Sequence, residues 1–255
     1  MFKVAVPSYH RSDVIASKTL AVLRLGGVPI SDIYVFVVAE EEQAYRQALP
    51  EYQVIVGHLG LIKQRKFIQD FFPLDTLIVM ADDDLQEVFE ASYEGDLYKP
   101  SKKPILDLSD QFTQMFRRMA QEAVTICGFY PIDNLKFALA NPQITTDFRY
   151  IVGALYLIKN VRDRETEPQV CDSHEDKERT ILKYIKEGKT LRYNHICIKT
   201  KYFAEGGLNT PDRKIRHYDF GKMLVDMYPQ FLRLKLKKRS NLIDCAFKRL
   251  KEQQP

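Results

Sequence analysis

The stretch Leu77-Ile78-Val79-Met80-Ala81-Asp82-Asp83-Asp84 decides how this 255-residue chain folds. Its apolar half has the length and branching of a buried strand, so the three carboxylates stand where that strand leaves its sheet. Side chains alternate along an extended backbone, which predicts that Asp82 and Asp84 point the same way. Two such carboxylates at a sheet's carboxyl edge can hold a hard divalent cation that also grips phosphate oxygens. The competing reading is a helix cap. Asp84-Leu85-Gln86-Glu87 fits a capping box opening a helix over Leu85 to Tyr93. One acid suffices for a cap, however, and three adjacent acids repel one another. The metal site is therefore the stronger expectation.

Working outward, strand and helix alternate through the first third. Strands are predicted at Phe2 to Pro7, Ile33 to Val38, Gln53 to Val56 and Thr76 to Met80. Helices fall between them, one around Ala16 to Leu25, one over Glu41 to Ala48 and one over Ile62 to Phe72. This alternation predicts an α/β fold with a mostly parallel central sheet and helices on both faces. Ligands of such sheets bind outside the strand carboxyl ends. Three loops fall there: Pro7-Ser8-Tyr9-His10-Arg11, Gly57 to Arg65, and Asp82 to Asp84. They supply a ring that can stack on a base (Tyr9), the cations Arg11, Lys63 and Arg65, and the acids. Neither G-x-G-x-x-G nor G-x-x-x-x-G-K-[ST] is present, so a Rossmann dinucleotide site and a P-loop are not indicated.

Further on, Tyr93 to Pro104 reads as an exposed loop and Leu108 to Val124 as a long amphipathic helix capped near Asp107 or Ser109. Cys127 to Pro131 reads as a turn. Tyr150 to Tyr156 reads as a strand in which Gly153 marks a close approach of backbone or ligand. A second acidic group, Asp172-Ser173-His174-Glu175-Asp176, opens a helix that ends at Gly188. Acids at a helix start are favoured by the macrodipole, yet four ionisable groups and a serine exceed what capping needs. One of them can take a proton from an attacking hydroxyl. Arg192 to Thr200 reads as a strand and Gly206-Gly207-Leu208-Asn209 as a turn. His217 is a candidate to complete a metal shell. Phe220 to Leu250 is helical in pattern with a break at Pro229.

Net charge is only +4, but Leu232 to Lys251 holds eight Lys or Arg against one acid, Asp244, which suits a polyanion. The cysteines Cys127, Cys171, Cys197 and Cys245 form no C-x-x-C pair, which argues against a zinc site or disulfide framework and for a reducing compartment. With no signal sequence or membrane-length apolar run, a cytoplasmic protein is expected.

The order of these features resembles a GT-A glycosyltransferase: the Pro7 to Arg11 loop, the Gly57 to Arg65 loop, the strand into Asp82-Asp83-Asp84, then Glu175-Asp176 and Gly206-Gly207. Within that superfamily the chain is most similar to the TET/JBP-associated glycosyltransferases. These phage and eukaryotic enzymes are linked to glycosylation of hydroxymethylated pyrimidines in DNA. The resemblance implies a GT-A domain over residues 1–215, with a nucleotide-sugar half (1–104) and an acceptor half (105–215). A helical basic extension (216–255) packs on it. It implies a UDP-sugar donor, Mn2+ or Mg2+, and a DNA acceptor, in host cytoplasm if the chain is phage-encoded. Tyr9 and Arg11 would meet the base and diphosphate, with Pro7, Ser8 and Arg65 nearby. Asp82 would lie near the ribose with Asp83 beside it, and Asp84 would bind the metal, with Asp82 as the second carboxylate. Asp176, ahead of Glu175, would be the catalytic base. The alternatives are a GT-A enzyme acting on a polysaccharide, lipid or protein, a two-metal nuclease or phosphodiesterase, and a silent nucleic-acid-binding module.

Overall fold

The structure, a computed structural model, describes residues 1–95, 99–170, 172–200, 213–237 and 242–248. The Gly206 to Asn209 turn, Cys171 and the basic residues of 238–241 and 249–251 lie outside them. The first half of the chain runs β1 (Phe2–Pro7), α1 (Thr19–Leu25), β2 (Ile33–Val37), α2 (Glu42–Ala48), β3 (Gln53–Val56), α3 (Leu61–Phe71), β4 (Leu77–Ala81), β5 (Leu85–Glu94), β6 (Lys99–Pro104) and α4 (Leu108–Gln121). The second half adds β7 (Ile126–Tyr130), α5 (Leu135–Leu139), β8 (Ile144–Thr145), β9 (Leu155–Lys159), α6 (Glu175–Glu187), β10 (Leu191–Thr200), α7 (Arg213–Met227), β11 (Leu232–Lys237) and β12 (Leu242–Phe247).

One sheet forms the frame, in the order β3-β2-β1-β4-β9-β7-β10-β5-β6, with β8 on β10. The four strands from β3 to β4 are parallel, and β7 and β10 are parallel to each other. Only β9, β5 and β8 run against the rest. Alternation sorts the side chains between two cores. Val4 and Val6 of β1 with Val79 and Ala81 of β4 face α1 and α4, where Leu20, Leu23, Phe112 and Met115 pack. Ala5, Ile78 and Met80 face the other way, toward Ile68 and Phe72 at α3 and Tyr156 of β9. Near-continuous apolar strands are what burial on both faces requires.

Several elements differ from the sequence reading. The helix expected over Leu85 to Tyr93 is strand β5, paired antiparallel with β10 so that Phe89 lies opposite Cys197. The pairing edge of β10 and burial of Leu85, Val88, Phe89 and Ala91 override the helix propensity of Leu, Glu and Ala. No capping box therefore exists at Asp84. The exposed loop before Pro104 contains β6, a sheet-edge strand where Pro100 and Pro104 are tolerated. The Cys127 turn is β7, buried in mid-sheet. The run at Tyr150 is strand only from Leu155, Ile151 and Val152 being buried but irregular.

The C-terminal segment is helical only through α7. Beyond Pro229 it is the antiparallel hairpin β11–β12, in which Arg233 lies opposite Ala246 and Lys235 opposite Asp244. The pattern Leu232-Arg233-Leu234-Lys235-Leu236-Lys237 is a strict period of two, the strand signature. Leu224, Phe231 and Leu232 bury it against Ile181 of α6. The α4 cap is Asp107, whose carboxylate accepts from Asp110 N.

Phe112 anchors the larger core. It is fully buried, with its ring edge-on to Phe2 at 5.7 Å and Phe129 at 6.3 Å. Phe112→Ala is expected to lose about 3–5 kcal/mol in urea unfolding. A loss below about 1 kcal/mol would show that α4 is not packed as described.

Candidate active site

The loops after β1, β3 and β4 leave the same edge of the parallel strands. At the end of β4 the backbone is fixed first: Asp82 N donates to Ala154 O at 2.9 Å. Thr19 then clamps the turn, its hydroxyl donating to Asp82 O at 2.6 Å and accepting from Leu85 N at 2.9 Å. The alternation of β4 carries through Asp82, which faces α3, but Asp83 and Asp84 form a turn and follow a different rule.

Each acid consequently has its own role. Asp83 is buried, accepting from Ser8 Oγ at 2.6 Å and from Arg11. Ser8 is held in turn by Tyr45 OH at 2.7 Å, which also accepts from Arg11 N at 3.1 Å. Burial pushes the Tyr45 hydroxyl up to about 12, so it stays a neutral donor and acceptor. Asp84 Oδ2 lies 3.2 Å from Arg11 Nη1. Asp82 Oδ1 pairs with Arg65 Nη2 at 2.7 Å. This leaves Asp82 Oδ2 and Asp84 Oδ1 without a protein donor among the described residues.

Burial and the neighbouring acids act on these carboxyls against the arginines. The Asp82 side chain is 33% exposed, yet desolvation by the surrounding protein, with Asp84, Asp83 and Glu175 adding to it, pushes its pKa up to about 7 despite Arg65. Asp84 is raised in the same way, against the pull of Arg11. Crowded carboxyls with oxygens to spare, all hard ligands, fit a divalent cation of the Mg2+ or Mn2+ type.

The second acidic group reaches the same edge. Glu175, at the start of α6, is buried with both oxygens in ion pairs, one to Arg65 and one to Arg179. Arg65 also donates to Gly153 O at 2.9 Å. A Cβ on Gly153 would stand 2.9 Å from Glu175 Oε1 and 3.1 Å from Arg65 Nη1, so the close approach read from the sequence is that of these two side chains. Asp176 is half-buried. Its Oδ2 accepts from Tyr150 OH and, at 3.1 Å, from Gly153 N, while Oδ1 accepts from Lys177 N at 2.8 Å.

Pro7 ends β1 and Tyr9 is half-buried, its ring 3.8 Å from that of His10. His10, at φ 56°, is fixed by Glu41, which accepts from its backbone N at 3.0 Å. His217 stands elsewhere. Its ring packs on His174 at 4.1 Å and its Nε2 lies 3.2 Å from Asp244 Oδ1, in a His174, His217 and Asp244 group that does not include Asp82 to Asp84. Lys63 is exposed on α3. Thr19, Tyr45 and Arg179 were the residues whose roles the sequence left unread, and none of them carried a local signal.

No protein-family model matches the chain, and no curated protein sequence matches it. Solved structures do. A mannosyltransferase from Pyrobaculum calidifontis, in complex with GDP-Man and Mn2+, is similar over 90% of this chain and 63% of its own, at 12% identity and a TM-score of 0.54. Glucosyl-3-phosphoglycerate synthase from Mycobacterium tuberculosis, with Mn2+, UDP and phosphoglyceric acid, is similar over 97% of this chain and 86% of its own, at 10% identity and a TM-score of 0.53. TarS 1-349 of S. aureus is similar over 88% and 65%, at 12% identity and a TM-score of 0.51. The chain thus spans less than two thirds of the mannosyltransferase. At these identities the likeness is one of fold, and the fold of this chain is GT-A.

Proposed function

We propose that the chain is a metal-dependent glycosyltransferase, moving a sugar from a nucleotide sugar, by preference a UDP-sugar, to a hydroxyl acceptor. The observation that carries this reading is the pair Asp82 and Asp84, each with a carboxylate oxygen lacking a protein donor among the described residues, at the ligand edge of a GT-A sheet. Similar folds have been solved with Mn2+ and with UDP or GDP-Man, which supports a donor of that kind. Asp84 and Asp82 would hold Mn2+ or Mg2+, which when bound supplies Lewis-acid stabilisation of a departing nucleoside diphosphate.

The chain's own residues do the rest. Arg11 and Arg65 place positive charge beside the acids and balance part of their repulsion. Tyr9 offers a ring face to a base. Of the two candidate bases we favour Asp176. Glu175 has both oxygens bound to buried guanidinium groups, whereas Asp176 is half-exposed and held in place by neutral donors. Its Oδ2 already accepts from Tyr150 OH and Gly153 N, whereas Oδ1 accepts from Lys177 N and has a second lone pair for an acceptor hydroxyl.

For the acceptor we propose a 5-hydroxymethylpyrimidine in DNA, as in the TET/JBP-associated group. The support is the resemblance and the basic side of β11, where Arg233 and Lys235 are exposed on one face. A base in a duplex must be extruded to reach such a site, at a cost of a few kcal/mol, and phosphate contacts would offset part of it.

Incubation with Mn2+, a panel of nucleotide sugars and DNA containing 5-hydroxymethyluracil or 5-hydroxymethylcytosine tests both levels. Nucleoside mass spectrometry is expected to show one added sugar. Asp84→Ala is expected to cost at least about 10²-fold in nucleotide release, and Asp176→Asn about 10²–10⁴-fold in transfer. Release that ignores Mn2+ and Asp84→Ala would end the transferase reading; sugar on another acceptor would end only the DNA part.

A pH series on the metal-free protein reads the acid cluster directly. Asp82 binds its proton more tightly folded than unfolded, so its contribution to stability is complete below the ordinary carboxylate range and is lost as pH rises through about 7. The melting temperature of the wild type, relative to Asp82→Asn, is expected to fall between about pH 4 and pH 7 and then level off.

A further inference from the structure

Four buried polar side-chain atoms find no hydrogen-bond partner among the described residues, and three of them are guanidinium nitrogens in one place: Arg65 Nε, Arg179 Nε and Arg179 Nη2. Arg65 and Arg179 are 5% and 4% exposed. Both lie against the ring of Tyr156, at 5.4 and 3.8 Å from its centroid, and both pair with Glu175. Arg65 has Asp82 and Gly153 O besides, but among the described residues Arg179 has Glu175 alone as an ion-pair partner. A charged donor left buried without an acceptor is costly, and such groups in native proteins call for an explanation.

The same two arginines line a cleft of about 650 Å³ between α3 and the start of α6, a size that suits a small molecule or a protruding group. Lys63 and Lys66 line it from the exposed side of α3 and have no ion-pair partner among the described residues. On the opposite wall Glu167 pairs with Arg164, and one oxygen of Asp172 accepts from Ile62 N at 2.8 Å. Three cations with donors to spare, Arg179, Lys63 and Lys66, thus face one carboxylate, Asp172, that has no ion-pair partner among the described residues. The missing partner is an anion with several acceptor oxygens, and a phosphoryl group matches the guanidinium fork best.

We propose that the cleft between α3 and α6 is an anion subsite that takes a phosphoryl group through Arg179, Lys63 and Lys66. Glu175, the sequence neighbour of Asp176, lines it, and under the glycosyltransferase reading, on which this part rests, the phosphoryl group belongs to the acceptor. Two sources share that chemistry: a small phosphate monoester and the backbone of DNA.

Calorimetric titration of the full chain tests the subsite, with and without saturating UDP and Mn2+. Inorganic phosphate is the probe. It is expected to bind beside UDP, and about tenfold more weakly to Lys63→Ala/Lys66→Ala, a pair of exposed changes that leaves the buried charges intact. Arg179→Lys, checked for folding by thermal melting, keeps the charge, loses the fork and is expected to weaken phosphate similarly. Displacement of phosphate by glycerol phosphate assigns the site to a small acceptor, and displacement by a short duplex assigns it to DNA. Phosphate that binds only in competition with UDP, or equally to wild type and the double variant, or not at all while UDP binds, overturns the subsite. Phosphate binding with no binding of UDP, GDP or any other nucleoside diphosphate in the presence of Mn2+ instead overturns the transferase reading.

Discussion

The buried guanidinium of Arg65 joins parts of the chain that are far apart in sequence. It donates to Asp82 after β4, to Gly153 O before β9 and to Glu175 on α6. Taking such charges out of water costs several kcal/mol each, and their attraction repays this only when the geometry is good. Removing one partner strands the others, with a penalty of about 3–5 kcal/mol. The same network dictates a residue it does not contain by charge: Gly153, where any Cβ would collide with Glu175 and Arg65. A hydrophobic cluster could fill this volume at lower cost, so placement of the two acidic groups relative to each other is the physical return on the arrangement.

Within the Asp82 to Asp84 triplet, like charges are kept together by unequal treatment. Asp83 is neutralised by Arg11 and by the Ser8 hydroxyl, and it ties the β1 loop to the β4 turn. Asp82 and Asp84 each keep one oxygen out of the hydrogen bonding of the described residues. Thr19 and Tyr45 make this possible from below, Thr19 by holding the turn backbone and Tyr45 by holding Ser8 and Arg11. The repulsion left over shows in the raised pKa values of Asp82 and Asp84. A dication relieves that repulsion, whereas a helix cap would not need it.

The parallel half of the fold was legible because its strands are apolar runs buried on both faces that alternate with helical stretches. The acids, the β1 loop and the Gly57 to Arg65 loop then followed from strand direction alone. What failed was local reading where partners come from far away. Leu85 to Glu94 has helix-forming residues and becomes a strand because β10, over a hundred residues later, offers it an edge. The alternation at Leu232 to Lys237 was present in the sequence but was outweighed by the helical pattern before Pro229. Thr19, Tyr45 and Arg179 gave no signal at all, since a hydroxyl or guanidinium on a helix looks the same whether it faces solvent or a buried acid. His217 shows the converse: a residue type suited to a metal, placed by α7 next to His174 and Asp244.

The two acidic groups share one support and differ in the rest. The segment 150–154 holds both, Asp82 through Ala154 O and Asp176 through Tyr150 OH and Gly153 N. Asp176 depends on later residues as well. Its neighbour Lys177 donates to Asp244 Oδ1 at 2.9 Å and to Cys245 O at 2.7 Å, both on β12. His217 adds a contact to the same Asp244 oxygen, and Phe231, Leu232 and Leu224 bury the hairpin on α6. A two-stranded hairpin is marginal alone, so β11–β12 owes its order to α6 and α7 as much as it steadies them. Its exposed cations at Arg233 and Lys235 are thus carried by the packed unit that sets the orientation of Asp176. Glu175 lies at the joint between the two halves: one carboxylate oxygen belongs to Arg65 and the first half, the other to Arg179 on its own helix.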